Sequence, residues 1–278
     1  MPWLSDWKPE DPVQVMIYGQ AKTGKTWGAL TFPRPVVMDF DRGISTARNP
    51  EFVKRYGLRD IFYETFSETQ LDKKTGVPIE ATGFDEACRF FDEWMKPSGN
   101  WKGKATGASL FDTWIIDSGT TLSEYAMHKA VVVMGKMKLS ETHEKGRLHG
   151  LIVPRIQDYG SERSLVEQFV DMVKSSGKHV VFICHEKEVT NSNGQTTGIV
   201  PLLTGKSAEA IPLKFDEVYN LRIVLKGPDR LRLLQTQPDG LKKVGSRYGI
   251  PDDSQWSWES VYGKLSEIKR LQQQQKKG

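Results

Sequence analysis

The feature that most constrains this chain is the stretch Gly19-Gln20-Ala21-Lys22-Thr23-Gly24-Lys25-Thr26. It fits the phosphate-binding pattern, in which a glycine is followed by four residues and then by Gly-Lys-Ser or Gly-Lys-Thr. The apolar residues 13–18 before it predict a buried strand, and residues 26–31 after it predict a helix that Pro33 ends. The pattern needs this strand–loop–helix context, so we predict an α/β fold that binds a nucleotide.

Each residue type in this loop has a chemical reason to be there. The two glycines let the backbone turn tightly, so that its N–H groups surround a phosphate, and the helix N-terminus adds partial positive charge. Lys25 is expected to reach the β- and γ-phosphates, and Thr26 to offer its hydroxyl to Mg²⁺. The predicted nucleotide-binding residues are Gly19, Gln20, Ala21, Lys22, Thr23, Gly24, Lys25, Thr26 and Trp27.

Composition narrows the class of protein without choosing its function. The 278 residues suffice for one large α/β domain or two small ones. No apolar run reaches the roughly 18 residues of a membrane helix, and the first residues lack a signal-peptide pattern. Cys88 and Cys184 lie in apolar segments, so we expect core thiols in a reducing compartment, the cytosol. A net charge of +4 is too small to argue for nucleic acid by itself.

The chain divides into three predicted segments. Residues 1–12 are a proline-containing arm, whose Trp3, Leu4 and Trp7 either fold back onto their own domain or anchor on a neighbouring subunit. Residues 13–271 are expected to form a single domain, with a mostly parallel central sheet flanked by helices. Residues 272–278 are a solvated polar tail.

Secondary structure beyond the apolar strands is also predicted. Residues 231–235 and 242–246 flank a turn and predict a C-terminal antiparallel hairpin. Residues 96–109 and 186–198 are polar or glycine-rich and predict loops.

Two predicted strands lead into carboxylates. Residues 35–39 run into Asp39-Phe40-Asp41, and residues 113–117 end at Asp117. Ligands of open α/β sheets bind at the carboxyl ends of strands, so Asp117 is predicted to hold Mg²⁺ against Thr26. Asp39 and Asp41 either work in the site or merely cap the turn that follows.

A third predicted strand, residues 179–184, ends at His185. That position favours a polar sensor of the γ-phosphate, and the alternative is a hydrogen-bonded structural histidine. Cys184-His185-Glu186 does not predict a metal site, because no partner cluster at ligand spacing accompanies it.

Residues 136–155 form the most basic neighbourhood of the chain. Such a stretch is either a solvated loop or a surface that contacts a phosphate backbone. Its cationic residues are Lys136, Lys138, Lys145, Arg147 and Arg155.

The order of these motifs resembles the RecA-like P-loop NTPase core of RecA-type recombinases. It is similar in particular to phage-encoded RecA-like ATP-binding proteins of single-strand annealing and recombination, over residues 13–236. The resemblance implies that Asp41, where the family usually has glutamate, activates water. It also implies that His185, where the family has glutamine, links the γ-phosphate to a DNA-binding loop. The implied catalytic residues are Lys25, Asp41, Asp117 and His185.

The resemblance also implies partners. The family's DNA-contacting loops map to residues 136–157 and 187–208, and the second loop contains Lys187 and Lys206. The family's lysines that act across a subunit boundary correspond to Gln235 and Gln237. Activation in trans would therefore be weak, or one of four other cations would substitute: Lys206, Lys214, Arg230 or Arg232. The implied partners are single-stranded DNA, further copies in a ring or filament, and a single-strand binding protein.

The expected function is that of a DNA-dependent ATPase that uses ATP and Mg²⁺ on single-stranded DNA, with slow turnover in the absence of DNA. The resemblance implies a phage protein in the cytoplasm of its host. One alternative is a small-molecule or nucleoside kinase, for which Arg147 and Arg155 are the nearest lid candidates. The other is a nucleotide-gated DNA-binding scaffold with little turnover.

Overall fold

A computed structural model describes residues 12–57, 61–67, 82–133, 154, 156–227 and 229–275. The strands are β1 (Gln14–Gly19), β2 (Pro35–Asp39), β3 (Phe62–Thr65), β4 (Gly99–Trp101), β5 (Lys104–Thr106), β6 (Thr113–Asp117), β7 (His179–Thr190), β8 (Thr196–Pro201), β9 (Glu217–Lys226), β10 (Asp229–Gln235) and β11 (Gly245–Ser246). The α-helices are α1 (Lys25–Ala29), α2 (Pro50–Tyr56), α3 (Gly83–Met95), α4 (Gly119–Val133), α5 (Ile156–Lys174), α6 (Ser207–Ala210) and α7 (Trp258–Gln275).

The central sheet is mostly parallel, in the strand order β10-β9-β1-β7-β6-β2-β3. The pairs from β9 through β1, β7, β6 and β2 to β3 are all parallel, whereas β8, β10 and β11 pair antiparallel with their neighbours. The predicted α/β class, with a central parallel sheet and an antiparallel hairpin near the C-terminus, is confirmed. Parallel pairing brings the ends of four strand segments, at Gly19, Asp39, Asp117 and His185, to one edge of the sheet.

Both faces of this sheet are covered, which explains why β1, β2 and β6 are buried along most of their length. Alternate residues of β1 serve different cores, as the period of a strand requires. Val15 and Ile17 belong to the core that includes residues of α1, α2 and α7. Met16 and Tyr18 belong to the core beneath α3, α4 and α5. The site edge is thus supported from both sides.

The C-terminal hairpin joins different strands from those predicted. Residues 231–235 lie in β10, which pairs with β9 and not with residues 242–246. Part of the second segment forms β11, which also pairs with β9. The intervening turn is closed locally, because Asp239 Oδ1 accepts the N–H groups of Leu241 at 2.9 Å and Lys242 at 2.8 Å. The predicted turn is therefore present, but a turn pattern in the sequence does not specify which strands pair.

Two predicted loops contain hairpins. Within residues 96–109, β4 pairs with β5 around Lys102 and Gly103, whose φ angles of 47° and 83° suit a tight two-residue turn. Within residues 186–198, β7 continues beyond the sheet and pairs with β8. The strands β4 and β5 and the outer half of β7 are largely exposed, so they lack the apolar alternation by which strands are recognised. Among the described residues, no helix combines the length and the apolar character needed to cross a membrane.

Candidate functional site

The phosphate loop runs from the end of β1 to the start of α1, and its glycines meet steric demands. A Cβ on Gly19 would lie 2.6 Å from the carbonyl oxygen of Leu221, so glycine permits this approach of β1 to β9. Gly24 has a φ of 94°, and a Cβ there would overlap the side chain of Arg232. The tip of the loop is exposed at Gln20, Ala21 and Lys22.

The side chain of Lys25 folds back along this loop. Its Nζ donates hydrogen bonds to the carbonyl oxygens of Gly19 at 2.9 Å and Gln20 at 2.7 Å. The residue is only 6% exposed. Burial lowers the pKa of Lys25, and the nearby carboxylate of Asp117 opposes that shift. A nearly buried cation whose hydrogen-bond partners are neutral carbonyls suits an anionic ligand such as a phosphate.

Thr26 and Asp117 form the candidate magnesium position. The Thr26 hydroxyl donates to Asp117 Oδ2 at 2.6 Å, and burial raises the pKa of Asp117 to about 6. Gly43 faces the same carboxylate, and a Cβ there would lie 2.7 Å from Asp117 Oδ2. A buried carboxylate beside a hydroxyl, next to backbone without a side chain, offers the hard oxygen ligands that Mg²⁺ prefers. These residues therefore fit the ion.

Asp39 is fully buried and holds the turn that follows β2. It accepts the N–H groups of Gly43 at 2.8 Å and Ile44 at 3.4 Å, and the hydroxyl of Thr65 at 3.4 Å. Burial raises the pKa of Asp39. These contacts match the capping interpretation, and they leave Asp41 as the carboxylate of this pair that faces the other site residues.

Asp41 meets side chains from two other elements. Its Oδ2 lies 3.1 Å from Nε2 of His185, and its Oδ1 accepts a hydrogen bond from the hydroxyl of Thr121. Burial pushes the pKa of Asp41 upward, but hydrogen bonds from His185, Thr121 and Ser118 outweigh it and hold the pKa below its usual value. The structure thus brings Asp41 and His185 together. Their roles toward water and the γ-phosphate stay predictions.

His185 sits where β7 stops pairing with β1, opposite Gly19. Its main-chain N–H donates to Thr120 Oγ1 at 3.0 Å. The next side chain, Glu186, accepts a hydrogen bond from Asn220 Nδ2 at 2.8 Å, which ties this strand end to β9. The imidazole is therefore held at the phosphate-loop edge by its own main chain and by Asp41.

The start of α4 contributes residues that the sequence patterns did not select. Thr120 and Thr121 follow Asp117 closely and contact His185 and Asp41. Gly119 allows this helix to begin here, because a Cβ on it would lie 2.1 Å from the ring of Phe182. Their position in the sequence was the only feature that could have selected them, because hydroxyl residues in the first turn after an acidic strand end lie at the ligand edge.

A groove opens beside the phosphate loop. The Arg232 guanidinium lies 4.2 Å above the ring of Trp27, which packs edge-to-face on Phe52. The cavity measures about 860 Å³, within the range of small-molecule sites. It is lined by Trp27, Asn49, Pro50, Glu51, Arg55, Arg230, Leu231 and Arg232. Trp27, a predicted nucleotide-binding residue, thus forms part of its wall.

The candidate DNA-binding residues have different environments. Lys187 is engaged within the chain, since its Nζ donates to the carbonyl oxygen of Leu203 at 2.7 Å. Lys206 is exposed, directly before α6. The remaining candidates lie outside the described residues: Lys136, Lys138, Lys145, Arg147 and Arg155.

Gln235, the last residue of β10, does not have the environment expected of a residue that acts across a subunit boundary. Gln235 is buried and accepts a hydrogen bond from Lys242 Nζ at 3.0 Å. Arg232, one of the suggested substitutes, packs on Trp27 of its own chain. Its side chain therefore packs against the phosphate loop and α1 of its own chain.

Comparison with known proteins agrees with this geometry at the level of the family. No curated protein matches the chain closely enough to count as a relative. Among solved structures, a KaiC-like protein from the hyperthermophilic archaeon Pyrococcus horikoshii OT3 is 12% identical, with a TM-score of 0.39, over 81% of this chain and 77% of that one. The AAA_24 family model, described as an AAA domain, matches residues 11–248, which contain the phosphate loop and every strand end described above. The chain therefore belongs to the AAA_24 family of AAA domains and carries the nucleotide-binding core of a P-loop ATPase.

Proposed function

We propose that this protein hydrolyses ATP and binds single-stranded DNA in recombination or annealing, with bound nucleotide controlling DNA affinity. The observation that carries the hydrolytic half is the convergence of Lys25, the Thr26–Asp117 pair and the Asp41–His185 pair at one sheet edge. Such positioning supplies most of the catalysis in phosphoryl transfer. DNA is expected to stimulate turnover that is slow in its absence.

The chain's own residues divide the work of hydrolysis. Loop N–H groups and Lys25 hold the phosphates, and Thr26 and Asp117 would hold Mg²⁺, which neutralises phosphate charge when bound. Asp41 accepts a proton from water as the water oxygen bonds to the γ-phosphorus and the bond to the β,γ-bridging oxygen breaks. His185, next to Asp41, would detect the γ-phosphate.

The groove beside Trp27 is the proposed site for the base and the sugar of ATP. It adjoins the phosphate loop, because Arg232 packs against both Gly24 and Trp27. Its volume accommodates a base and a sugar. Guanidinium groups such as those of Arg230 and Arg232 stack well on flat aromatic rings.

Continuity of the chain supports the DNA-binding half. The helix α4 starts two residues after Asp117, and the basic residues 136–155 follow it in the sequence. The strand β7 carries His185 and continues into the β7–β8 hairpin, after which Lys206 follows. Both candidate DNA loops are thus attached to elements that begin or pass at the nucleotide edge. Assembly into a ring or filament, a single-strand binding partner and a phage protein's place in host cytoplasm rest on the RecA resemblance.

The deciding experiment measures ATP hydrolysis with and without single-stranded DNA, for the wild type and Lys25→Ala. We expect stimulation by DNA in the wild type and a loss of at least about 10²-fold in the variant, which lacks the phosphate-binding cation. Hydrolysis that Lys25→Ala leaves unchanged would contradict the proposal.

A nucleotide-gated scaffold with little turnover is the second candidate. It is favoured by Asp41, because both of its carboxylate oxygens are already engaged by Thr121 and His185. That function predicts ATP-dependent DNA binding without phosphate release in the same assay. Phosphate transfer to an added nucleoside would instead identify a kinase.

A further inference from the structure

The first turn of α4 holds both candidate groups for water activation. Thr120 accepts the main-chain N–H of His185 at 3.0 Å, and Thr121 donates its hydroxyl to Oδ1 of Asp41. Neighbouring hydroxyls on one helical turn therefore reach two different segments, one at the end of the parallel part of β7 and one after β2. The relative position of Asp41 and His185 depends on this turn.

This turn is itself firmly placed. Gly119 packs so closely on Phe182 that a Cβ would lie 2.1 Å from the ring. The N–H of Thr121 donates to Oγ of Ser118 at 3.3 Å, and Ser118 is fully buried. Asp41, in contrast, follows the end of β2, where its N–H donates to the carbonyl oxygen of Asp117 at 3.2 Å and its side chain stays partly exposed. The first turn of α4 is thus held more firmly than Asp41, so it can orient the Asp41 carboxylate.

The hydrogen bond from Thr121 makes the two carboxylate oxygens of Asp41 inequivalent. Oδ1 is held by the hydroxyl, and Oδ2 lies 3.1 Å from His185 Nε2. An ionised carboxylate oxygen has two lone pairs, so Oδ2 can accept a second hydrogen bond from water. A short side chain that must meet one water molecule gains most from such a tether, since a 1 Å misplacement can cost about 10²-fold in rate.

We propose that Thr121 is a positioning residue for ATP hydrolysis: its hydroxyl holds Oδ1 of Asp41, so that Oδ2 is the oxygen that takes the proton of the attacking water. The inference rests on the proposed hydrolytic function. The same hydrogen bond also makes Asp41 a slightly weaker base. Removing it would therefore raise the basicity of Asp41 and release its orientation, and the loss of orientation is the larger effect.

The test compares Thr121→Val, which keeps the shape and removes the hydroxyl, with Thr121→Ser, which keeps the hydroxyl. We measure kcat and KM for ATP, affinity for a non-hydrolysable ATP analogue, and the melting temperature. Thr121→Val is expected to lower kcat about tenfold or more while KM and analogue affinity change less than about twofold. Thr121→Ser is expected to restore most of kcat. Should Thr121→Val fail to fold, Thr121→Ala takes its place against Thr121→Ser.

A wild-type kcat in Thr121→Val, a Thr121→Ser variant as slow as Thr121→Val, or a parallel loss of kcat and analogue affinity would each overturn the inference alone. Absence of hydrolysis by the wild type would overturn the proposed hydrolytic function, and this inference with it. The wild-type measurement therefore distinguishes the two failures.

Discussion

Glu162 is a buried carboxyl group away from the predicted catalytic set. It lies on α5 and is 1% exposed, with Oε1 accepting the Ser123 hydroxyl at 2.5 Å. Its Oε2 has no hydrogen-bond partner among the described residues. Burial raises the pKa of Glu162, and the hydrogen bond from Ser123 opposes that shift. Folding therefore favours the protonated form.

This residue predicts a dependence of stability on pH. The stability that protonated Glu162 contributes is fully present below its unfolded pKa and is lost as the pH rises through its higher folded pKa. Glu162→Gln, which cannot ionise, is expected to match the wild type near pH 4 and to exceed its unfolding free energy by about 1–3 kcal/mol at pH 8, because the buried carboxylate of the wild type is charged there. Urea unfolding at both pH values checks this. Equal stability of the two proteins at pH 8 would refute it.

At the scale of elements, the short helix α1 depends on a remote segment for its position. Trp256 donates its indole N–H to the carbonyl oxygen of Lys25 at 2.7 Å. Its ring covers Gly28, where a Cβ would lie 2.0 Å from Cδ1 of the indole. A helix of five residues cannot be stable by itself, so this packing fixes the second half of the phosphate site.

We therefore expect Gly28→Ala to destabilise the protein by about 1–3 kcal/mol through overpacking, and to weaken ATP binding by moving the loop. The matched control is Gly160→Ala, on α5, where a Cβ would meet nothing within 4 Å. That substitution should leave stability unchanged or raise it by up to about 1 kcal/mol, because alanine favours a helix. Denaturant unfolding and ATP titration measure both. A Gly28→Ala protein as stable as its control would show that Trp256 can move aside.

At the scale of the whole molecule, ATP hydrolysis and DNA binding are proposed for different parts of the chain. Hydrolysis is proposed for the phosphate-loop edge of the sheet, and DNA binding for segments that include the basic residues 136–155. Reversing the charges of Lys136, Lys138 and Arg147 is expected to weaken binding to single-stranded DNA and to reduce its salt slope by about 2, since each lost phosphate contact contributes about 0.7. Hydrolysis without DNA should stay at the wild-type rate. Fluorescence titration of labelled DNA across a salt series measures the slope.

The control for that experiment reverses three exposed cations elsewhere, Arg89, Lys96 and Lys104. It changes the net charge by the same amount, so it reports the general electrostatic effect. DNA affinity lowered equally in both variants would remove residues 136–155 from the proposed surface.

Local sequence patterns predicted those parts of the fold in which residues close in sequence are also close in space. The phosphate loop and the apolar strands β2 and β6 have the bounds expected from their residues. The pairing of β10 with β9 was missed, because a turn signal does not name the partner strand. The β4–β5 hairpin was missed because its strands bury little apolar surface.

Amino-acid order alone was enough to assign the P-loop and the acidic strand ends, because both are short, contiguous patterns with a chemical reason for each residue. It could not show that Thr121 holds Asp41, which lies 80 positions earlier, or that Asp41 meets His185, 144 positions later. Those contacts exist only because parallel pairing brings distant strand ends to one edge, and side-chain packing at that edge is a property of the folded chain.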